Sequence, residues 1–447
     1  MAELAGADVM AASTVTTVGS GPAQLGRAAR TWSVFTLSLV ALLAAIDRQS
    51  FAVLLVPIQK DLHVSDAAMG ALTGSAFAIV YAVIALPLAR LADRTNRRNL
   101  LALAVAIWSA ATAACGLSSS FVQLLMARIA VGSAESVQLP ASLSLIGDMF
   151  PAQRRGTAIS FMIIGSALGF ALGAALAGAL NDHFNWHATM MIVGLPGLVL
   201  AAVMFLTVRE PPRGLQDGLG VDAHHHETFI TCIRRCMRIR TLYPFAIAWI
   251  SLQMCFLGWL TWMPAFLMRV HHLSSTKMGA IFGAIIACAT FASLLGGPLS
   301  DFLAKRGARW RLYYCCCAAA LSVPVLAAST LVPTLGQCIA CLVAYTLLSG
   351  GITAVGTAIY VSFAPPTMRG FLSAIMNLSS VLLGSGIAPF VFGAVNDVLK
   401  LSYGDQSLRY TLLLAPVMLA IAGVFFALSS RTVDQDVAAA GRPVIDV

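Results

Sequence analysis

The sequence is short of charge. Only 11% of its 447 residues are Asp, Glu, Lys or Arg, while 59% are apolar. A soluble domain carries about a quarter charged residues, so this chain lacks the material to cover a water-facing surface. It also lacks the alternation of apolar and polar residues, about ten per strand, that a membrane β-barrel requires. No phosphate-binding glycine loop, no Ser/His/Asp set and no cluster of metal ligands stands in the sequence. No cofactor, no metal and no catalytic residue is therefore expected, and an enzyme is disfavoured. No separate apolar leader precedes the first long apolar run. Residues 1–31, rich in Ala, Gly, Ser and Thr, read as a disordered tail.

In place of charge there are apolar blocks of at least about 20 residues, the length that crosses about 30 Å of hydrocarbon. Twelve spans read over 32–57, 67–90, 99–118, 121–147, 157–181, 187–207, 242–268, 277–300, 311–331, 334–363, 370–396 and 409–430. Many are rich in Gly and Ala, as helices that pack closely in lipid must be. The predicted fold class is an all-α membrane protein. Its longest polar break, 208–241, separates a six-helix half (32–207) from a second (242–430), and a tail follows (431–447).

The net charge of +9 does not point to nucleic acid, because the basic residues are scattered over short loops. Of the 28 Lys and Arg, Lys60, Arg269, Lys277, Lys400 and Arg409 fall on one side and Arg48 and Arg128 within spans, leaving 21 on the side of the termini. That bias places both termini in the cytoplasm and demands an even number of spans. The stretch Arg234–Arg240 reads as an amphipathic helix on the cytoplasmic headgroups.

Ten cysteines are present, eight of them in apolar spans, with Cys232 and Cys236 in the basic loop. They read as small hydrophobes. Cys338 and Cys341 form a lone C-x-x-C, weak grounds for metal or redox work. His224, His225 and His226 read as a polar loop rather than a zinc site, which needs defined geometry and further ligands.

The halves repeat one another. Leu91-Ala-Asp93-Arg94 follows span 2, and Leu299-Ser-Asp301 follows span 8. Pro151-Ala-Gln-Arg-Arg155-Gly156 follows span 4, and Pro365-Pro-Thr-Met-Arg369-Gly370 follows span 10. Parallel six-helix repeats imply a twofold pseudo-axis along the membrane normal, with a binding site between the halves.

Three charges sit deep. Asp47-Arg48 and Glu135 each lie about 15 residues into their spans, near the bilayer midplane. Arg128, two turns before Glu135, falls on the same helical face about 10 Å away. Charges at such depth must face a cavity or a partner. Two readings stand side by side: structural ion pairs between spans 1 and 4, or a working centre. In the second, Asp47 or Glu135 loads and releases a proton as access alternates, since burial and nearby cations pull a carboxylate in opposite directions. Arg48, which cannot deprotonate, suits an anionic substrate group. Arg128, Gln253 and Asn377 are further candidate substrate contacts, as are Trp259 and Trp262, which could equally be interfacial.

These motifs resemble the major facilitator superfamily. Its loop signature G-x-L-x-D-R-x-G-R-R is similar to Ala89-Arg-Leu91-Ala-Asp93-Arg94-Thr-Asn96-Arg97-Arg98, and its span-4 pattern to Arg128-Ile-Ala-Val-Gly132-Ser-Ala-Glu135. Asp47-Arg48 combined with Glu135 and Ser144-Leu-Ile-Gly-Asp148-Met-Phe150-Pro151 looks like the Spinster branch, whose animal members move sphingosine-1-phosphate or lysophospholipids. The anion:cation symporter branch also carries the Asp-Arg and Glu, and is the rival. The resemblance implies a monomeric, proton-coupled secondary transporter of a small anionic or amphiphilic molecule, embedded in lipid, in a bacterial inner membrane. It further implies a gate in which Asp93, with Arg94 and Arg97, caps a neighbouring helix, and Asp301 is its counterpart. For Arg97 a solvated topology signal is an equal reading.

Overall fold

The computed structural model describes residues 26–212, 234, 236–363 and 369–440. Its elements are helical, and they are numbered here by membrane crossing. In the first half these are α1 (Arg27–Val53, resuming as Leu55–Leu62), α2 (Asp66–Gly70, Ala71–Ser75 and Ala76–Arg94), α3 (Arg97–Cys115), α4 (Phe121–Glu135 and Gln138–Met149), α5 (Ala152–His183) and α6 (Trp186–Thr207). The second half contributes α7 (Leu242–Arg269), α8 (Ser275–Ala304), α9 (Ala308–Leu331), α10 (Leu335–Phe363), α11 (Arg369–Ser379, Ser380–Ile387 and Ala388–Tyr403) and α12 (Ser407–Thr411 and Leu414–Ser429). One apolar stretch, Phe371–Ser429, is 59 residues long. It turns at Gly404, which takes φ +53°, a conformation glycine adopts without strain. That stretch is therefore two crossings, and the described residues make twelve.

The helices form where the sequence gives long apolar runs; Pro87, Pro196, Pro264, Pro298 and Pro324 lie inside unbroken helices, and breaks fall near two other prolines. Pro57 has no N–H to offer the Val53 carbonyl, and α1 turns at Leu54. Pro140 likewise cannot bond the Ser136 carbonyl, and α4 breaks over Ser136 and Val137. Val83, Leu206 and Val424 are among the many large apolar side chains exposed on the outside. A surface of that kind belongs in lipid, so this is a multi-pass membrane protein.

Within the first half, α5 lies along α1 through glycines one turn apart. A Cβ on Gly169 would stand 2.8 Å from the Ala45 Cβ and 3.0 Å from the Leu42 carbonyl carbon. A Cβ on Gly173 would stand 2.9 Å from the Ile46 backbone. The glycines are thus what brings the Asp47 segment close to α5. Gly169→Val should force the two helices apart and lower stability by about 1–3 kcal/mol, read as a fall in melting temperature in detergent.

The two halves meet along two seams, α5 with α8 and α2 with α11. Gly279 in α8 packs on Ala174 in α5. At the other seam both helices carry a π-helical stretch, Ala71–Ser75 in α2 and Ser380–Ile387 in α11. The Ser75 hydroxyl donates to the Gly386 carbonyl at 2.8 Å. These contacts stand toward the face opposite the termini.

Candidate functional site

The four deep charges come together, in crossed pairs. Arg48 on α1 donates through Nε to Glu135 Oε1 on α4 at 2.7 Å, and its Nη2 reaches the same oxygen. Asp47, the preceding residue, turns the other way. Its Oδ2 accepts from the Thr112 hydroxyl on α3 at 3.0 Å, and its Oδ1 lies 3.5 Å from Arg128 Nη1. Adjacent residues on a helix point about 100° apart, so α1 serves one partner on each side. Arg128 and Glu135 share a face of α4 as their spacing requires, yet each is bound to α1 rather than to the other.

The pairs differ in exposure. Asp47, Arg128 and Glu135 are buried, whereas the Arg48 side chain is 39% exposed. The Arg128 guanidinium lies 4.3 Å from the centroid of the Phe51 ring, and Arg48 lies 5.8 Å from that of Phe77. Both cations therefore rest on aromatic faces, whose quadrupole partly replaces lost water. Among the described residues several buried polar atoms have no hydrogen-bond partner: Glu135 Oε2, Asp47 Oδ1, Nε and Nη1 of Arg128, and both amide atoms of Gln49. Buried polar groups are normally satisfied, and a cluster of exceptions marks a place built for something other than packing.

A cavity of about 120 Å³ lies beside them. Arg48, Gln49, Arg128, Thr73, Thr261 and Ser385 are its polar lining residues, and Phe51, Phe77, Phe170, Leu257 and Leu260 make up much of the rest. Leu257, Leu260 and Thr261 come from α7, and Ser385 and Pro389 from α11, so both halves contribute walls. The arrangement offers one accessible guanidinium in an apolar, aromatic setting, backed by a carboxylate that holds it. A wider groove of about 470 Å³, lined by Val34, Phe35, Phe161 and Arg154, lies between α1 and α5 toward the termini and involves none of the deep charges.

The remaining expected residues fall elsewhere. Gln253 packs on α11 beside Gly384, Asn377 is exposed, and neither lines the cavity. Trp259 and Trp262 are buried packing residues, the latter donating to the Pro389 carbonyl at 2.9 Å. Arg97 is not a solvated end. Its side chain is 3% exposed, with Nε 2.7 Å from Glu210 Oε1 and Nη1 on Asp148 Oδ2 and on Ser144 Oγ, the last at 2.9 Å. None of these partners belongs to the second half, and Arg97 ties α3 to α4 and to the segment just after α6. Arg94 and Asp301 are exposed, and the Asp93 side chain lies outside the described residues. So do His224, His225, His226 and Cys232. Cys236 is buried and helical, as is Arg234, but turns follow from Met237, so no helix runs to Arg240. Among the described residues no group of three His, Cys, Asp or Glu could hold a metal ion.

A second charge cluster escaped the sequence reading. At the start of α2, fully buried Asp66 accepts from Arg269 Nη1 at 3.0 Å and from Asn396 Nδ2 at 2.7 Å. Arg269 also reaches Gln59 on the α1 extension. Asp66 sits one residue before the expected span, where a charge needs no partner, so only the turn geometry of the chain could have revealed it.

A sequence model of the Major Facilitator Superfamily matches residues 37–389. An MFS-type efflux pump of Mycolicibacterium smegmatis is 27% identical over 91% of this chain and 94% of its own. The sphingosine-1-phosphate transporter SPNS2 of Danio rerio is 26% identical over 87% of this chain and 82% of its own. Among solved structures, a bacterial homologue of the human lysosomal transporter Spinster, in an inward-facing and unoccupied conformation, superimposes with a TM-score of 0.82. Its identity is 26%, over 92% of this chain and 99% of that one. The likeness to the Spinster branch drawn from Asp47, Arg48 and Glu135 is thus met by relatives that span nearly the whole chain.

Proposed function

This chain belongs to the Major Facilitator Superfamily, and from that premise we propose that it moves an anionic amphiphile across the membrane by proton-coupled alternating access. It is a small-molecule transporter and not an enzyme. The observation that carries the finer reading is Arg48: a half-exposed guanidinium in a cavity of aromatic and apolar side chains, held by the buried carboxylate of Glu135. A single phosphate or carboxylate can take the fork of Arg48, and an acyl or alkyl part can lie on Phe51, Phe77 and Phe170.

Coupling follows from the pairing. An anion that draws Arg48 away leaves Glu135 buried without its cation, a state far costlier than the neutral acid. Anion binding and proton uptake at Glu135 therefore favour each other, which is the requirement for symport. Asp47 is held by Thr112 and by buried Arg128, so we assign it the second, slower-exchanging proton site. The named relatives support the lipid-like class, since one of them is a sphingosine-1-phosphate transporter. The cavity volume of about 120 Å³ favours instead a compact organic anion, the second reading. In the proposed orientation the termini are cytoplasmic, in a bacterial inner membrane, with the protein a monomer. The face closed by the two seams is then the outer one, and the structure is inward-facing.

Flux into proteoliposomes of a lysophospholipid and of a panel of sugar acids, with and without a pH gradient, tests both readings. Accelerated flux of one class under the gradient, lost in Arg48→Gln, is the expected result. If neither class moves, or if Arg48→Gln transports like the native chain, the proposal is wrong.

A further inference from the structure

The chain carries a repeat at its two seams. Gly178-Ala-Leu-Asn181-Asp182 ends α5 and Gly393-Ala-Val-Asn396-Asp397 lies in the last segment of α11, Ala388–Tyr403, at an offset of 215 residues. Their partners repeat as well. His63-Val-Ser65 leads into Met69-Gly70 of α2, and His272-Leu-Ser274 leads into Met278-Gly279 of α8, at an offset of 209. His63 and His272 share a left-handed backbone, φ 50° and 53°. So few non-glycine residues adopt that conformation that the match signals the same turn built twice.

The repeats meet crosswise. Asp182 accepts from the backbone N–H of Ser275 at 3.2 Å and of Thr276 at 2.7 Å. Asp397 accepts from the backbone N–H of Asp66 at 2.9 Å and of Ala67 at 2.8 Å. The preceding asparagines match too: Asn181 Nδ2 donates to Ser275 Oγ at 2.9 Å, and Asn396 Nδ2 to Asp66 Oδ2 at 2.7 Å. Glycine makes the approach possible, since a Cβ on Gly178 would lie 2.9 Å from the Ser275 carbonyl carbon and one on Gly393 2.7 Å from that of Asp66.

A helix leaves its first N–H groups without partners inside the helix. Here Ser65 and Ser274 cap the third of these from within their own half. The first two are given to a carboxylate of the other half, at the end of the helix dipole that attracts negative charge. When the halves part, water can take those N–H groups over, so the bonds hold the seam without being needed by either half alone.

We propose that Asp182 and Asp397 are paired latches that keep the face opposite the termini closed, and that both must release before that face opens. The second latch is reinforced by the Asp66–Arg269 ion pair. Among the described residues the first has no such ion pair, and Asp182 is exposed, so it is the cleaner to test. The proposal rests on the transporter reading only in that this face must open. A distance measurement does not depend on substrate or proton coupling, so failure of the one is distinguishable from failure of the other.

Spin labels attached through an unnatural ketone amino acid at positions 60 and 277, both exposed on opposite halves, would leave the native cysteines untouched. Pulsed electron resonance then reads the closed and open populations. Asp182→Ala should lower the closed-to-open ratio about tenfold, the scale of a lost helix cap, and the double variant with Asp397→Ala about a hundredfold. Asp182→Asn keeps only one of the two acceptor oxygens and should open the face less than Asp182→Ala does. Ser275→Pro removes one of the N–H donors at a position where proline fits the helix, and should open the face with Asp182 intact. It also carries the test if the alanine variant fails to fold. Unchanged distance distributions in both Asp182→Ala and Ser275→Pro, with or without a change in melting temperature, would overturn the latch.

Discussion

Glu135→Gln should reduce pH-driven accumulation of substrate to the passive leak of empty liposomes, while substrate exchange at equal pH on both sides persists. Glutamine keeps the shape of Glu135 and an acceptor oxygen for Arg48, so the packing of α1 on α4 survives. What it loses is the ability to bind and release a proton. Glu135 is 1% exposed and its Oε2 has no donor, so Arg48 supplies the hydrogen bonds to the carboxylate. The variant uncouples the anchor from the proton without removing the anchor. Asp47→Asn, by contrast, disturbs the bond to Thr112 and the pairing with Arg128, and its effect should fall on both modes. The measurement is uptake after a pH jump set against counterflow in the same vesicles. PH-driven uptake that survives intact in both Glu135→Gln and Asp47→Asn would sink the proton assignment.

Arg97→Ala should be the most destabilising substitution in the motif Ala89–Arg98 that joins α2 to α3. Truncation leaves Asp148 and Glu210, 13% and 20% exposed, without the cation between them, and strips donors from Ser144 and from the Pro211 carbonyl. Breaking a buried ion pair from one side costs about 3–5 kcal/mol, and here two carboxylates lose the same cation at once. Arg97→Lys should recover only part of the loss, because one ammonium cannot reproduce a fork that ties three segments. Arg94→Ala, at an exposed position three residues before Arg97, provides the control and should change little. Thermal unfolding in detergent, followed by size-exclusion fluorescence, reads the difference. If Arg97→Ala melts with Arg94→Ala, the tie contributes no stability.

The spans were legible because lipid imposes them: a helix must be apolar for its whole crossing, and charge must gather at its ends. The expected segments and the observed helices accordingly agree to within a turn or two, even at α11 and α12, where the apolar stretch is continuous. The depth of Asp47, Arg48 and Glu135 was legible for the same reason. Their pairing was not, since it depends on how far each helix is rotated about its axis, and α4 bends immediately after Glu135. Pro57 and Pro140 stood in the sequence as signs of those bends. Arg97 and Asp66 were opaque for another reason. At a helix end a charge satisfied by water and one satisfied by protein look identical in sequence, and only the fold decides between them. The α5 and α11 repeat was fully written in the chain, yet its meaning required knowing which helix starts lie against it.

The π-helical stretches of α2 and α11 hold one residue more per turn than their surroundings. A helix that absorbs such a residue into ordinary α-geometry turns everything beyond it by about 100° and advances it about 1.5 Å. Both stretches lie at the seam itself, where Ser75 meets Gly386. Each helix thus stores slack at the place where the halves must separate. Beyond it, Phe77, on which Arg48 rests, and Pro389, which walls the same cavity, would be re-aimed by a change of register alone. The binding cavity and the closed face then share a mechanical linkage measured in single residues, in which a helix need not bend or unwind to change what it presents.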